Sequence, residues 1–455
     1  MILRQVYKFK QKLESRENLK RVITNIIWLF LDKIFRIGLN FLLTILIARY
    51  LGAESFGLWN YVIAFVALFS ILSSLGLDSI VTRDLIREDV LNDEVLGAAF
   101  LLKLAGGVLA LFVSSISILF LRPGEPLTLY LVLLTAGALI FQSFDVIDFF
   151  FQSKLQSKFV VYSRNLAFLF SALIKIAILY YKGPLILFVL ATLLEAILTA
   201  IFLILVYRWT NSSILQWKIR FSIVKKLFKD SYPLALSVMV ILIYMRTDQI
   251  MLGNMIGDNA VGIFSAAVRL SEAWYVIPSV ITNSILPNLL KEREINHKNY
   301  VRKVQQTFKI MAYLGLMTAI IISCSSNFII KTLYGSEYEG AAPILAIHTW
   351  TSVFVFIGFA SGNWFVVENL QKYVFYRTLA GAFINVTLNL LLIPAYSGFG
   401  AAIATLISQF VASYFFNLFN SKTYPVFIMQ TKALYQVLTL KDVFDFFKRD
   451  KFKDC

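Results

Sequence analysis

Apolar stretches of twenty or more residues recur from one end of this 455-residue chain to the other, and each is long enough to cross a bilayer core as a helix. A soluble domain carries about a quarter of its residues as charges. Here charged residues make up only 15%, hydrophobic ones 58%, and the mean hydropathy is +0.73. The pattern predicts an all-α polytopic membrane protein. The net charge of +16 then reflects basic cytoplasmic loops and not a nucleic-acid partner. With only Cys324 and Cys455 present, neither a structural disulfide nor a metal site is expected, and no cofactor. The first apolar run lacks a small-residue cleavage site, so it reads as a retained span and not a signal peptide.

Twelve spans are expected, near 24–50, 56–80, 95–121, 127–151, 159–181, 184–207, 231–254, 260–290, 304–333, 340–367, 373–394 and 398–420. With both ends cytoplasmic, thirty of the 43 Lys and Arg fall in cytoplasmic segments, against Arg122, Lys182 and Lys331 on the other side. That asymmetry sets the orientation. Residues 1–207 form a first six-helix lobe, 208–230 a basic cytoplasmic linker and 231–420 a second six-helix lobe. The tail 421–455 reads as an amphipathic segment on the cytoplasmic membrane surface, drawn there by anionic lipid.

The two lobes read as a parallel repeat about an axis along the membrane normal. "ILIARYLGAESFGLW" (45–59) carries Gly52 and Gly57; "IMLGNMIGDNAVGIF" (250–264) carries Gly257 and Gly262 at the same spacing, 205 residues on. "VLATLLEA" in span 6 and "AIATLISQ" in span 12 give a fainter echo. Each glycine pair is expected to frame a tight outer turn, where a Cβ would hinder positive φ and close helix approach. Arg49, beside the first pair, reads as a span-end arginine reaching the interface.

Charged residues deep within spans carry the functional information. Asp32, Arg36, Lys103, Asp145, Glu195, Asp248, Arg269 and Glu272 cannot all face lipid, since each would cost about 2.5–3.5 kcal/mol there. Helical spacing groups Asn25, Asp32 and Arg36, with Lys33 beside them, in span 1. It also groups Tyr244 with Asp248 in span 7, Ser265, Arg269, Glu272 and Asn283 in span 8, and Thr378, Asn385 and Asn389 in span 11. Stripes at equivalent places in spans 1 and 8 point to a wet central cavity where a transporter binds its cargo. Lys33, Arg36, Tyr244, Arg269 and Asn283 are the candidate substrate-binding residues, with the two arginines facing each other and meeting their partner only with cargo. Asp248 and Glu272 are the candidate coupling site for H+ or Na+; for Glu272 a fixed ion pair with Arg269 is an equal alternative. Asp145, Glu195 and Lys103 read equally as structural pairs or as functional groups, and His348 as a packing residue. Pro278 and Pro287 should bend span 8. No catalytic residues are identified: there is no phosphate-cradling loop, no metal-ligand cluster and no nucleophile elbow.

"NFLLTILIARYLGAESFGLWNYVIAFVALFSILSSLGLDSIVTRDLIRE" (40–88) resembles the amino-terminal signature of Wzx-type polysaccharide flippases. These belong to the multidrug/oligosaccharidyl-lipid/polysaccharide exporter superfamily. The segment 232–291, beginning "YPLALSVMVILIYMRTDQIMLGNMIGDNAVGIF", is similar to its second-half counterpart. The resemblance implies two six-helix lobes around a central cavity lined by spans 1, 2, 7 and 8. It implies a cargo of undecaprenyl-pyrophosphate-linked oligosaccharide, moved between leaflets of a bacterial plasma membrane, with membrane lipid and other polysaccharide assembly proteins as partners. It also places Arg36, with Lys33, and Arg269 in the spans where lipid II flippases carry functional cations. Two competing readings stand beside it. A multidrug exporter fits Asp248 and Glu272 but not the arginines; a membrane-embedded polymerase or glycosyltransferase lacks the large outer loop it would need.

Overall fold

The computed structural model describes the backbone of residues 2–87, 92–210 and 212–439, and the side chains of those residues from Gly38 onward together with Arg36. Asn25, Asp32 and Lys33 thus lie outside the residues whose side chains are described, as does the tail beyond 439. Every regular element among the described residues is helical. The chain forms two compact units, one of residues 1–51 with 65–239 and one of residues 52–64 with 240–455.

Unit one holds most of α1 (Ile2–Ser74), then α2 (Leu77–Arg87), α3 (Asn92–Leu121), α4 (Pro126–Phe141), α5 (Val146–Ser153), α6 (Lys158–Tyr180), α7 (Leu185–Trp209) and the first half of α8 (Phe221–Met255). One buried cluster joins Leu77 and Val81 of α2, Leu96 of α3, Phe151 of α5, Tyr207 of α7 and Leu227 of α8. The stretch expected as a linker is held down here. Lys218 donates its N–H to the Asp93 carbonyl, Arg220 reaches Glu94 at 3.2 Å, and Lys226 reaches the buried Asp84 at 3.1 Å.

Unit two holds residues 52–64 of α1, the rest of α8, then α9 (Asp258–Glu272), α10 (Val276–Ile295), α11 (His297–Leu333), α12 (Ala341–His348), α13 (Thr351–Val367), α14 (Gln371–Ser413) and α15 (Tyr424–Leu438). Its core gathers Phe308 and Met311 of α11, Phe356 and Phe365 of α13 and Val426 and Ala433 of α15. The first part of the expected surface tail is therefore a packed helix, with Gln430 buried and bonded to Asn417 and the Ser413 carbonyl.

Where twelve spans are expected, ten helices among the described residues are long and apolar enough to cross a membrane. Two of them, Gly38–Arg87 at 50 residues and Gln371–Phe419 at 49, are interrupted by non-helical residues at Gly52 and Ser397. At about 1.5 Å per residue each is long enough for two crossings of a core about 30 Å thick.

Three expected spans are broken differently. Span 8 tightens into a 3-10 turn at Ala273–Tyr275, because Pro278 has no N–H to return to the Trp274 carbonyl. Span 4 does the same at Gln142–Asp145, where the Ser143 hydroxyl bonds the Ile140 carbonyl. Span 10 divides between His348 and Thr351, where the Thr351 and Ser352 hydroxyls bond the His348 and Thr349 carbonyls.

Candidate functional site

The glycine repeat builds one corner of unit two. Gly52 and Gly257 both have positive φ, +74° and +119°, immediately before residues 53–64 of α1 and before α9. A Cβ on Gly57 would run into the Asp258 carbonyl, and one on Gly262 into the Ala53 carbonyl. The two helix starts therefore cross backbone against backbone, each glycine seated on the other copy of the motif. Glu337 accepts the Ala53 N–H at 2.6 Å, capping the helix start that follows Gly52. Tyr61 donates to Asn254 of α8 at 2.8 Å, and Arg269 of α9 donates to Asn60 at 3.3 Å, so this part of α1 is tied to both helices.

Beside this corner lies a cavity of about 400 Å3, within the usual range for small-molecule sites. Its walls come from α8, α9, the 3-10 turn Ala273–Tyr275, α10, α12, α13 and α14. Four of the expected residues line it: Tyr244, Asp248, Glu272 and Asn283. Asp248 is only 5% exposed, yet neither of its carboxylate oxygens meets a cation within 4.0 Å among the described residues. The Thr405 hydroxyl donates to one and the Asn389 amide to the other, at 2.5 Å, and Asn389 also donates to Asn385 at 3.1 Å. A carboxylate held by neutral donors is positioned without its charge being cancelled by a fixed cation.

Glu272 has Arg246 and Arg269 as cationic neighbours, yet makes no ion pair within 4.0 Å among the described residues. The Tyr244 hydroxyl is buried without a hydrogen-bond partner among the described residues. His348, 2% exposed, bonds Ser271 at 3.0 Å and stands edge-on to Phe264.

Arg36 differs from the expectation that its partner arrives only with cargo: Glu195 stands 3.9 Å from its guanidinium, with the Phe168 ring beneath. Glu195 is shared with Lys175 at 3.4 Å, because α6 and α7 present these side chains to each other. Asp145 and Asp148 are tied to Arg164 at 3.2 and 2.8 Å, and the buried Lys103 sits over the Phe149 ring.

Sequence reasoning missed Arg377. It lines the cavity at 8% exposure, donating to Ser361 at 2.6 Å and to the Gly358 carbonyl at 3.2 Å, over the Phe365 ring. It stands in the first turns of an expected span, and it lies about 100° around the helix from the Thr378–Asn385–Asn389 stripe. Thr405 stood in plain view in "AIATLISQ", which drew notice for its repeat and not for its hydroxyl.

Comparison with known proteins fits this geometry. Residues 22–291 match the family model described as polysaccharide biosynthesis protein, and residues 233–391 match the MatE family model. The chain is 23% identical over 406 residues to the capsular polysaccharide biosynthesis protein CapF of Staphylococcus aureus, covering 87% of this chain and 98% of CapF. It is 26% identical to the probable flippase AglR of Haloferax volcanii, over 37% of this chain and 36% of that one. Among solved structures it resembles the inward closed conformation of the lipid II flippase MurJ, with a TM-score of 0.67 at 17% identity, covering 92% of this chain and 93% of that one. By the extent of the family match, the chain belongs to the polysaccharide biosynthesis protein family of the multidrug/oligosaccharidyl-lipid/polysaccharide exporter superfamily.

Proposed function

We propose that this protein is a flippase that moves undecaprenyl-pyrophosphate-linked oligosaccharide repeat units from the inner to the outer leaflet of a bacterial plasma membrane by alternating access. The observation that carries the reading is the cavity of unit two, where carboxylates, a guanidinium, amides and tyrosines converge in a chain of this family. Sugars present hydroxyls and rings, and Tyr244, Asn283, Asn363 and Tyr275 offer hydrogen bonds and aromatic faces to them. A pyrophosphate carries about two negative charges at pH 7 and favours planar, bidentate donors over point charges. Arg36 and Arg269, with Lys33, are the residues assigned to it. The polyprenyl chain stays in lipid.

Coupling is assigned to Asp248, with Glu272 as a second acid. The Asp248 carboxylate, the Thr405 hydroxyl and the side-chain oxygens of Asn385 and Asn389 make an oxygen set suited to a hard cation such as Na+ or to a proton. Rotating the Asn389 amide would turn an oxygen toward the carboxylate, an exchange that a bound cation favours and an empty site opposes. Complementation of a flippase-deficient strain tests the whole reading, with lipid-linked intermediates assayed by leaflet. Restored outer-leaflet repeat units are expected; accumulation on the inner leaflet despite normal membrane abundance overturns it.

A second reading rests on one observation. The MatE match spans the helices that wall an acidic and aromatic cavity, which would suit organic cations. Export of a fluorescent cation by vesicles, lost in Asp248→Asn without any defect in repeat-unit flipping, would favour it. The orientation is tested separately: a reporter after Gly257 should be extracytoplasmic and one near Lys226 cytoplasmic.

A further inference from the structure

A second cleft of unit two, of about 400 Å3, lies between the beginning of α11 and α15. Lys298, Arg302, Lys309 and Lys432 line it, and the rest of its wall is glutamine and one valine, with no acidic side chain. Gln305 fastens the two helices by donating to the Met429 carbonyl at 3.0 Å. Lys298, Arg302, Gln305 and Lys309 recur at the spacing of one helical face, so the basic stripe extends about 16 Å along α11. Beyond Lys309 the same face changes character: Tyr313, Leu316 and Ile320 continue it, four, seven and eleven residues on, with Ile320 exposed at 47%. A face that is cationic over three turns and apolar over the next three matches a ligand with an anionic head and hydrocarbon chains. A soluble anion would use only the first half.

We propose that this cleft binds the phosphodiester headgroup of an anionic phospholipid, with the acyl chains lying against Tyr313, Leu316 and Ile320. The site is separate from the transport cavity and needs no cargo. It rests on the proposed orientation, in which the start of α11 is cytoplasmic and faces the leaflet where anionic lipid attracts basic clusters. The headgroup bridges α11 and α15, so its binding holds α15 in place on the core it shares with Phe308 and Val426.

The test uses the full-length protein in detergent, with bound lipid counted by native mass spectrometry over a phosphatidylglycerol titration. Wild type is compared with Lys298→Gln/Arg302→Gln/Lys432→Gln and with a control, Lys225→Gln/Lys229→Gln, which neutralises exposed cations of unit one. At about 1 kcal/mol for each basic residue, the triple variant should bind phosphatidylglycerol about a hundredfold more weakly. The control should bind as wild type does. Phosphatidylcholine should bind poorly to all three, and inorganic pyrophosphate should not displace the phosphatidylglycerol. Unchanged retention in the triple variant, an equal loss in the control, or equal retention of phosphatidylcholine overturns the proposal. Displacement by pyrophosphate also overturns it, since the cleft would then be a soluble-anion site. Should the triple variant fail to elute as a single species, Lys432→Gln alone decides, with an expected weakening of about fivefold. None of these readouts depends on transport, so the flippase reading can fail without affecting the result.

Discussion

In unit one, Arg164 stands 2.8 Å from Asp148 and 3.2 Å from Asp145, and Glu195 has Lys175 at 3.4 Å with Arg36 at 3.9 Å. In unit two, Asp248, Glu272 and Arg377 line one cavity, yet none makes an ion pair within 4.0 Å among the described residues. The same problem, charge taken out of water, has been met in two ways. Pairs inside unit one satisfy each other and hold helices together. In unit two, Asp248 is held by a hydroxyl and an amide and Arg377 by a hydroxyl and a carbonyl, which fix their positions without cancelling their charge. On the function proposed above, the first set serves stability, and we propose that the second engages cargo and cation.

The sharpest attempt to break that division removes a pair. Arg164→Ala leaves the buried Asp148 and its neighbour Asp145 without their cation, and losing one partner of a buried pair costs about 3–5 kcal/mol. Membrane abundance and melting temperature should both fall. Normal abundance with lost transport would move Arg164 into the functional set.

Asp248→Asn should act the other way. The new amide can still bond Thr405 and Asn389, so abundance should stay near wild type while transport loses its dependence on a cation gradient. Measuring uptake with and without the gradient decides this; an undiminished gradient effect ends the coupling assignment.

Arg377→Gln removes a buried charge without stranding an opposite one, so stability should move by about 1 kcal/mol or less. Transport should fall roughly tenfold, and Arg377→Lys should keep part of it, because charge survives but the planar fork does not. Equal loss of abundance and transport would class Arg377 with the structural pairs.

The smallest stability effect is expected at Arg36. Glu195 keeps Lys175 at 3.4 Å, and the Arg36 side chain is 32% exposed, so Arg36→Ala should cost less than about 1 kcal/mol. Abolished flipping at normal abundance would retain Arg36 as a pyrophosphate ligand. Normal flipping would return it to unit one's internal pairing and leave the head group to Arg269.

Apolar runs and the 3.6-residue period make the helices legible, and equal spacing makes Gly52 and Gly257 stand out in the sequence alone. Stripes also put Tyr244 and Asp248 on one face, and both line one cavity. What periodicity cannot reveal is which helix a face meets. Arg36 looked unsatisfied because Glu195 stands 159 residues away on α7, and Asp248 looked isolated because Thr405 and Asn389 come from α14. Nor does spacing mark the break near His348, which comes from hydroxyls turned back on their own helix; the one at Ala273–Tyr275 is announced by Pro278 and its missing N–H.

The crossing of Gly57 and Gly262 has a consequence for how this sequence can change. Each residue faces the backbone of the opposite motif, so a side chain gained at one cannot be accommodated by shrinking the other, which is already glycine. The two positions are locked by the same contact yet cannot compensate for each other. Random substitution at both followed by selection for function should return glycine at each position independently, with no paired alternatives. A duplicated chain is usually free to let its copies drift apart; at this crossing neither copy has that freedom.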